Sequence, residues 1–383
     1  MAIASEAPAT VSASDPIRVM VVDDSVVIRG FLTRFIESAP GLKVAASVSN
    51  GQLALNSIER SSFDVVVLDI EMPVMGGMTA LPLLLKADPN IQVIIASTLT
   101  KENALITLKA MGMGAAECLA KPTSRELAGG SAIFRDDLVE KVRELGYLAR
   151  KKRGAAAKSK MPGISGAAVA ARASIAEKKF TLRKELSKIM PEAVAVGSST
   201  GGPQALLQFF TELKGGFRQP VFVTQHMPPT FTTILAEHIA RQSGLACKEA
   251  AEGDVIQAGH VYLAPGNFHM TVKDSGGKKF ISINQDAPES FCRPAVDPML
   301  RSIVNVYGSK VLAVIFTGMG MDGLKGCQKV VDAGGVVFAQ DEATSIVWGM
   351  PGAVAMAGIC SQVLPLGKMA AAVRKYAGSG GAF

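Results

Sequence analysis

Three consecutive hydroxyls stand between glycines in "AVAVGSSTGGPQAL", from Ala193 to Leu206. The run Gly197-Ser198-Ser199-Thr200-Gly201 satisfies Gly-x-Ser-x-Gly with Ser199 central. A strand, a tight turn and a helix in that order would lift the central hydroxyl into solvent and aim backbone N–H groups at one point. Glycines before a helix also suit a phosphate cradle, but no lysine follows as in a P-loop, and the third glycine of a dinucleotide fingerprint is missing. A tight turn with no chemistry has the same spelling, so nucleophile, anion loop and plain turn all stand. A serine nucleophile needs a base, and the base an orienting acid. The chain has four histidines, His226, His238, His260 and His269. His238 falls inside the helical pattern "ILAEHIAR", His260 precedes a strand in "AGHVYL", and His269 in "APGNFHM" is a candidate to support a site from behind. His226 ends the apolar run "VFVTQ" and so shares a strand-end rim with Ser199. Among acids Asp322 stands out, where an apolar strand runs into the glycine-rich loop of "IFTGMGMDG"; the backbone near Met319 offers a donor.

Such groups act together only if the elements behind them bring them to one edge. From Ile17 to about Ser124, "IRVMVV", "LKVAASV", "DVVVLDI", "IQVIIAS" and "AAECLA" read as five strands, with helices near 26–37, 52–60, 78–86 and 103–111. Regular alternation implies a doubly wound parallel sheet with crossover helices on both faces. Phe134, Leu138, Val142 and Leu145 recur at helical spacing, which predicts a closing fifth helix. A second α/β alternation begins at "AVAVGS" and runs through "VFVTQ", "HVYLAP", "KFISIN", "VLAVIFTG" and "GVVFAQ", with antiparallel pairing expected around Val261 to Asn284. The fold class is therefore α/β in two domains: a tail over 1–16, a flavodoxin-like five-stranded parallel domain over 17–147, a linker over 148–190, and a mostly parallel, doubly wound domain over 191–383.

Functional groups of open parallel sheets gather at the carboxyl ends of the strands. Asp23 and Asp24 end the first strand, Asp69 the third, Ser97 the fourth and Lys121 the fifth. Three carboxylates on one rim repel each other unless a cation sits among them, and a hard divalent ion such as Mg²⁺ fits that oxygen set. Lys121 then supplies a point charge, and Ser97 a hydroxyl, for an incoming anion.

Composition narrows the classes. The 383-residue chain is 48% hydrophobic and 19% charged, as in globular proteins, and too long for one ordinary core. Its apolar runs fall short of the roughly 20 residues that span a bilayer, and residues 1–16 lack the basic and apolar regions of a secretory signal. Five scattered cysteines at no metal-ligand spacing predict reduced thiols. Between Leu148 and Lys188 twelve Lys or Arg face two acidic residues, so the net +7 of the chain is concentrated there and the remainder is slightly acidic. That Ala-, Gly- and Lys-rich segment reads as a flexible linker. A DNA-binding tail is the sharper alternative, without a helix-turn-helix or zinc pattern to support it.

The motifs "VVDDS", "LDIEMPVMGG" and "KP", in that order, resemble the receiver domain of two-component response regulators over Ile17 to Ser124. The resemblance implies that Asp69 accepts a phosphoryl group from a histidine kinase, with Mg²⁺ held by Asp23, Asp24 and Asp69. Cys118 and Leu119 stand where the family often has an aromatic switch residue. "GSSTGG", "TQHMPPTFT", "YLAPGNFHM", "FCRPAVDPML", "FTGMGMDG" and "VWGMPGAV" resemble the signature segments of the CheB chemotaxis methylesterase family over most of residues 193–377. The triad this implies is Ser199 as nucleophile, His226 as base and Asp322 as its orienting acid, with Thr200 and Met319 N–H groups as oxyanion hole. Met321 and Gly352 replace a common Asn and a common basic residue near the expected substrate mouth. The implied activity is phosphorylation-activated hydrolysis of γ-glutamyl methyl esters on chemoreceptors, with deamidation of receptor glutamines and no cofactor for the ester step. The expected protein is a cytoplasmic monomer, recruited to receptor arrays, without membrane insertion or nucleic acid. The alternatives are a response regulator whose second half only binds, and an esterase for a small molecule.

Overall fold

The computed structural model describes residues 15–121, 132–159, 180–183, 189–213 and 217–378. By internal contacts the chain divides into two compact units, Met1–Ala96 with Pro122–Ser159 and Ser97–Lys121 with Lys160–Phe383.

The N-terminal sheet contains β1 (Ile17–Val22), β2 (Leu42–Val48), β3 (Val65–Asp69), β4 (Gln92–Ser97) and β5 (Glu117–Ala120) in the order β2-β1-β3-β4-β5. The pairs β1/β2, β1/β3 and β3/β4 are parallel. Helices α1 (Val26–Glu37), α2 (Gly51–Ile58), α3 (Gly77–Ala87) and α4 (Lys101–Gly112) connect successive strands. The strand order reverses between β1 and β3, which opens a crevice at their carboxyl ends. Every residue of β3 and β4 is buried, which is why those strands read as unbroken apolar runs.

Helix α5 spans Ala132–Ser159, with Leu138, Val142, Leu145 and Ala149 fully buried, as the helical spacing predicts. It continues past residue 148, where the flexible linker was expected to begin. The basic residues there are anchored: Arg150 bonds Asp64 Oδ2 at 3.0 Å, and Arg153 reaches Asp64 Oδ1 at 2.5 Å and Asp88 Oδ2 at 2.6 Å. Asp64 is 2% exposed, so leaving its charge unpaired would be costly and two guanidinium groups hold the helix against it. Residues 1–14 of the tail expected over 1–16, and most of the linker, lie outside the described residues.

The second unit is built on a seven-stranded sheet in the order β14-β13-β12-β6-β7-β9-β8. These are β6 (Ala193–Ser198), β7 (Val221–Gln225), β8 (Ala246–Glu249), β9 (His260–Leu263), β12 (Val311–Ile315), β13 (Val336–Gln340) and β14 (Gln362–Leu364). All neighbouring pairs are parallel. Alternate residues of β6 enter opposite cores: Val194 and Val196 pack in a cluster with Phe209 and Phe316, while Ala193 and Ala195 pack with Phe222 and Ile315. Among the described residues the expected antiparallel portion is the hairpin of β10 (His269–Ser275) and β11 (Lys278–Asn284), with isolated antiparallel bridges at Val255–Phe280 and Glu289–Cys292. Val261 instead lies in β9, which is mostly buried and flanked on both sides by parallel strands, β7 and β8, rather than forming half of a hairpin. The helices are α6 (Gly202–Leu213), α7 (Phe231–Ser243), α8 (Val296–Tyr307), α9 (Leu324–Asp332), α10 (Met350–Met356) and α11 (Leu366–Gly378).

Candidate active site

Ser198 and Gln225 are register partners at the ends of β6 and β7, so the next residues, Ser199 and His226, leave neighbouring strands side by side. Asp322 follows β12, the neighbour of β6 on its other side. The three candidates thus converge at the carboxyl ends of adjacent strands where the sheet order reverses.

The turn after β6 is fixed by close backbone approaches. Ser199 N–H donates to Thr317 O at 3.0 Å, and its carbonyl accepts from Gly202 N at 2.7 Å and Gln225 Nε2 at 2.9 Å. A Cβ on Gly202 would lie 1.9 Å from Gln225 Oε1, so only glycine admits that carboxamide. Ser198 Oγ donates to Gln225 Oε1 at 2.7 Å, so it helps fix the carboxamide beside the turn. Gln225 is therefore a residue that sequence reasoning missed; its only signal was its place directly before His226. Thr200 Oγ1 donates to Glu117 Oε2 at 2.6 Å. The N–H groups of Thr200 and Met319 bond no acceptor among the described residues, and neither does Ser199 Oγ.

His226 Nε2 is 2.8 Å from Asp322 Oδ2. That carboxylate also accepts Val296 N–H at 2.6 Å on Oδ2, and on Oδ1 Asp297 N–H at 3.1 Å and Gly323 N–H at 2.9 Å. Val296 and Asp297 open α8, so the anion sits on unpaired donors at the positive end of a helix. Burial pushes the Asp322 carboxyl up, but His226 and these N–H groups outweigh it and hold it below the usual range. Burial alone would lower the His226 imidazole; Cys292 and Asp322 outweigh it and raise it well above its usual value. An ionised acceptor at Nε2 requires that nitrogen to carry the proton, so the neutral ring presents its lone pair at Nδ1. Nδ1 faces Cys292 Sγ at 3.3 Å.

His269 stands behind the site as expected: its Nδ1 accepts Ala295 N–H at 3.2 Å and thereby steadies the residue before α8. Asp297 accepts Gly326 N–H at 2.6 Å, and burial pushes its carboxyl up to about 6. Met321 is 62% exposed beside Asp322, whereas Gly352, expected near an open mouth, is buried. A Cβ there would lie 3.0 Å from the Trp348 ring, so a side chain would fit only if that ring gave way by a few tenths of an ångström.

In the N-terminal crevice, Asp23, Asp24 and Asp69 each place a carboxylate oxygen within 4.8 Å of the others. Three hard oxygen donors at that spacing fit Mg²⁺. Asp23 Oδ1 also accepts Ser25 N–H at 2.9 Å, and Ser25 Oγ in turn caps α1. Gly77 lets the chain return over the end of β3: a Cβ there would lie 2.1 Å from Asp69 O. Ser97 is buried at the end of β4, and Lys121, following β5, donates its N–H to Ser97 O at 2.8 Å. Cys118 and Leu119 are each 2% exposed, so both fill core positions.

Comparison with known proteins agrees with both halves. Residues 194–373 match the model of the CheB methylesterase family, and residues 19–128 that of the response regulator receiver domain. The chain is 54% identical over 94% of its length to a protein-glutamate methylesterase/protein-glutamine glutaminase of Rhodospirillum rubrum, covering 95% of that protein. The chain belongs to the CheB methylesterase family. A second CheB-family relative, from Paramagnetospirillum magneticum and of the same name, is 54% identical over 98% of this chain and 99% of its own. The crystal structure of the Thermotoga maritima CheB methylesterase catalytic domain aligns at 42% identity with 48% of this chain and 98% of that one, at a TM-score of 0.47. Among the described residues no helix is long and apolar enough to cross a membrane.

Proposed function

We propose that this chain is a phosphorylation-activated protein-glutamate methylesterase that also deamidates glutamines, acting on the γ-carboxyl derivatives of chemoreceptors. The observation that carries the reading is the His226–Asp322 pair at 2.8 Å on strand ends adjoining that of Ser199. Ser199 Oγ attacks the ester carbonyl and its proton passes to Nδ1 of His226, while Asp322 holds the ring through Nε2 and stabilises the imidazolium. The Thr200 and Met319 N–H groups, without acceptors among the described residues, receive the oxyanion. Methanol leaves with the proton from Nδ1. Water, deprotonated by the same nitrogen, then releases glutamate and restores Ser199. With a glutamine substrate, ammonia leaves in place of methanol and the same atoms move.

Asp69 is the phosphoryl acceptor, and a histidine kinase is the donor. Asp23, Asp24 and Asp69 would hold Mg²⁺, which would supply positive charge against the transferred group. Lys121 adds a fixed positive charge and Ser97 a hydroxyl. The receiver runs from residue 17 to the end of α5 and the esterase over 191–383, in a monomer located in the cytoplasm and recruited to receptor arrays.

Methanol release from methylated receptor and from small methyl esters tests the reading. Receptor turnover should dominate and disappear in Ser199→Ala. Retention of most activity in that variant sinks the nucleophile assignment, and equal turnover of small esters sinks the substrate assignment.

A further inference from the structure

We infer that Cys292 is a positioning residue for His226: its thiol sits on Nδ1, the nitrogen that must take the Ser199 proton, and so governs when the base is available. The inference rests on the esterase reading above. With Asp322 on Nε2 at 2.8 Å and Cys292 Sγ on Nδ1 at 3.3 Å, both ring nitrogens are engaged, while Ser199 Oγ bonds nothing among the described residues. The base therefore rests on sulfur instead of on the nucleophile.

The loop that delivers the thiol is braced. Glu289 and Cys292 exchange backbone hydrogen bonds at 3.2 and 2.9 Å around Ser290 and Phe291, which adopt left-handed φ values of 51° and 62°. Two nitrogens of Arg301 clamp Glu289 at 2.8 and 2.5 Å. Non-glycine residues hold such dihedrals only where their surroundings impose them, so the placement of Cys292 is imposed by the loop. Among the described residues no other cysteine bonds a histidine. Burial pushes the Cys247 and Cys360 thiols up to about 12, and raises Cys327 as well.

The thiol is among the groups that raise the imidazole, and while Nδ1 carries a proton it cannot accept from Ser199. The titratable groups directly on His226 are Asp322 and Cys292; behind them lie Asp297 bonded to Gly326, Glu289 paired with Arg301, and His269 bonded to Ala295.

Two replacements and one labelling experiment test the assignment on the full chain. Cys292→Ser keeps a hydroxyl donor that does not ionise in the working range, and Cys292→Ala removes the group. In both, the acid limb of the kcat/KM–pH profile should move about one unit lower, a tenfold gain on that limb. Limbs that superimpose on the wild type, with only a uniform fall in kcat, overturn the inference in favour of simple packing. Independently of turnover, iodoacetamide should label Cys292 ahead of the other cysteines in Ser199→Ala, as mapped by peptide mass spectrometry, and His226→Ala should slow that labelling severalfold. Equal labelling with and without the imidazole overturns the pairing. Labelling needs no ester hydrolysis, so its failure is distinguishable from failure of the esterase reading.

Discussion

Asp322 Oδ2 takes the Val296 N–H at 2.6 Å, so the carboxylate that orients His226 is itself seated on the first turn of α8. Helix and acid fix each other: the anion satisfies donors that have no partner within the helix, and the helix keeps the anion charged in a position 1% exposed. Asp322→Asn sets an amide against these N–H groups and favours the wrong imidazole tautomer. A fall in kcat on the order of 10⁴ is expected, with KM little changed. Steady-state kinetics on methylated receptor would measure it, and a loss under tenfold would contradict the orienting role.

The charge state of His226 gives the reaction a pH dependence with a definite sign. The base must be neutral to accept the Ser199 proton, and its imidazole is held well above the ordinary value. Activity should therefore rise with pH along an acid limb lying above the usual histidine range. Asp322→Ala removes one of the groups that favour the cation and should shift the remaining limb downward, despite the lower rate. A wild-type limb at or below the ordinary range of about 6.5 would show that the pair does not hold its proton.

Gly318 tests how tightly Ser199 is held. A Cβ there would lie 2.9 Å from both Ser199 Cβ and Ser199 N, and 2.4 Å from Met350 Sδ. The methionine can yield, but the Ser199 backbone cannot without displacing the hydroxyl. Gly318→Ala should lower kcat about 10²-fold while the chain remains folded by circular dichroism. Unchanged kcat would mean that the turn tolerates more movement than its hydrogen bonds suggest.

Long-range alternation in the sequence predicted the receiver-type sheet and the central strands of the second sheet, because buried parallel strands are nearly continuous in apolar residues. The strands left unread have weak signals of another kind. β8, "ACKE", alternates exposed and half-buried residues at a sheet edge, and β14 is three residues long. The placement of Ser199, His226 and Asp322 on neighbouring strand ends was legible because glycine-rich loops and a strand-ending histidine mark such rims. Gln225 and Cys292 were not, because a carboxamide closing a buried strand and a lone thiol in a loop gain meaning only from neighbours distant in sequence. The basic run after residue 148 misled for the opposite reason: its composition resembles linker, but Asp64 and Asp88 supply partners that composition does not reveal.

The N-terminal crevice makes the last prediction. Asp69 is 4% exposed and its Oδ1 accepts Ile70 N–H at 2.7 Å; on the proposed reading its carboxylate takes the phosphoryl group. Neighbouring carboxylates on Asp23 and Asp24 would repel that group, so transfer should require a divalent cation. Phosphoryl incorporation from a small acyl phosphate should be lost on chelation and restored by Mg²⁺. Asp69→Asn should abolish incorporation, and the ratio of methanol release with and without phosphodonor should fall to one. Asp24→Asn should instead raise the Mg²⁺ concentration needed, because it removes an exposed ligand and leaves the acceptor in place. Full incorporation in Asp69→Asn would move the acceptor elsewhere, and stimulation that survives without incorporation would separate esterase activation from this crevice.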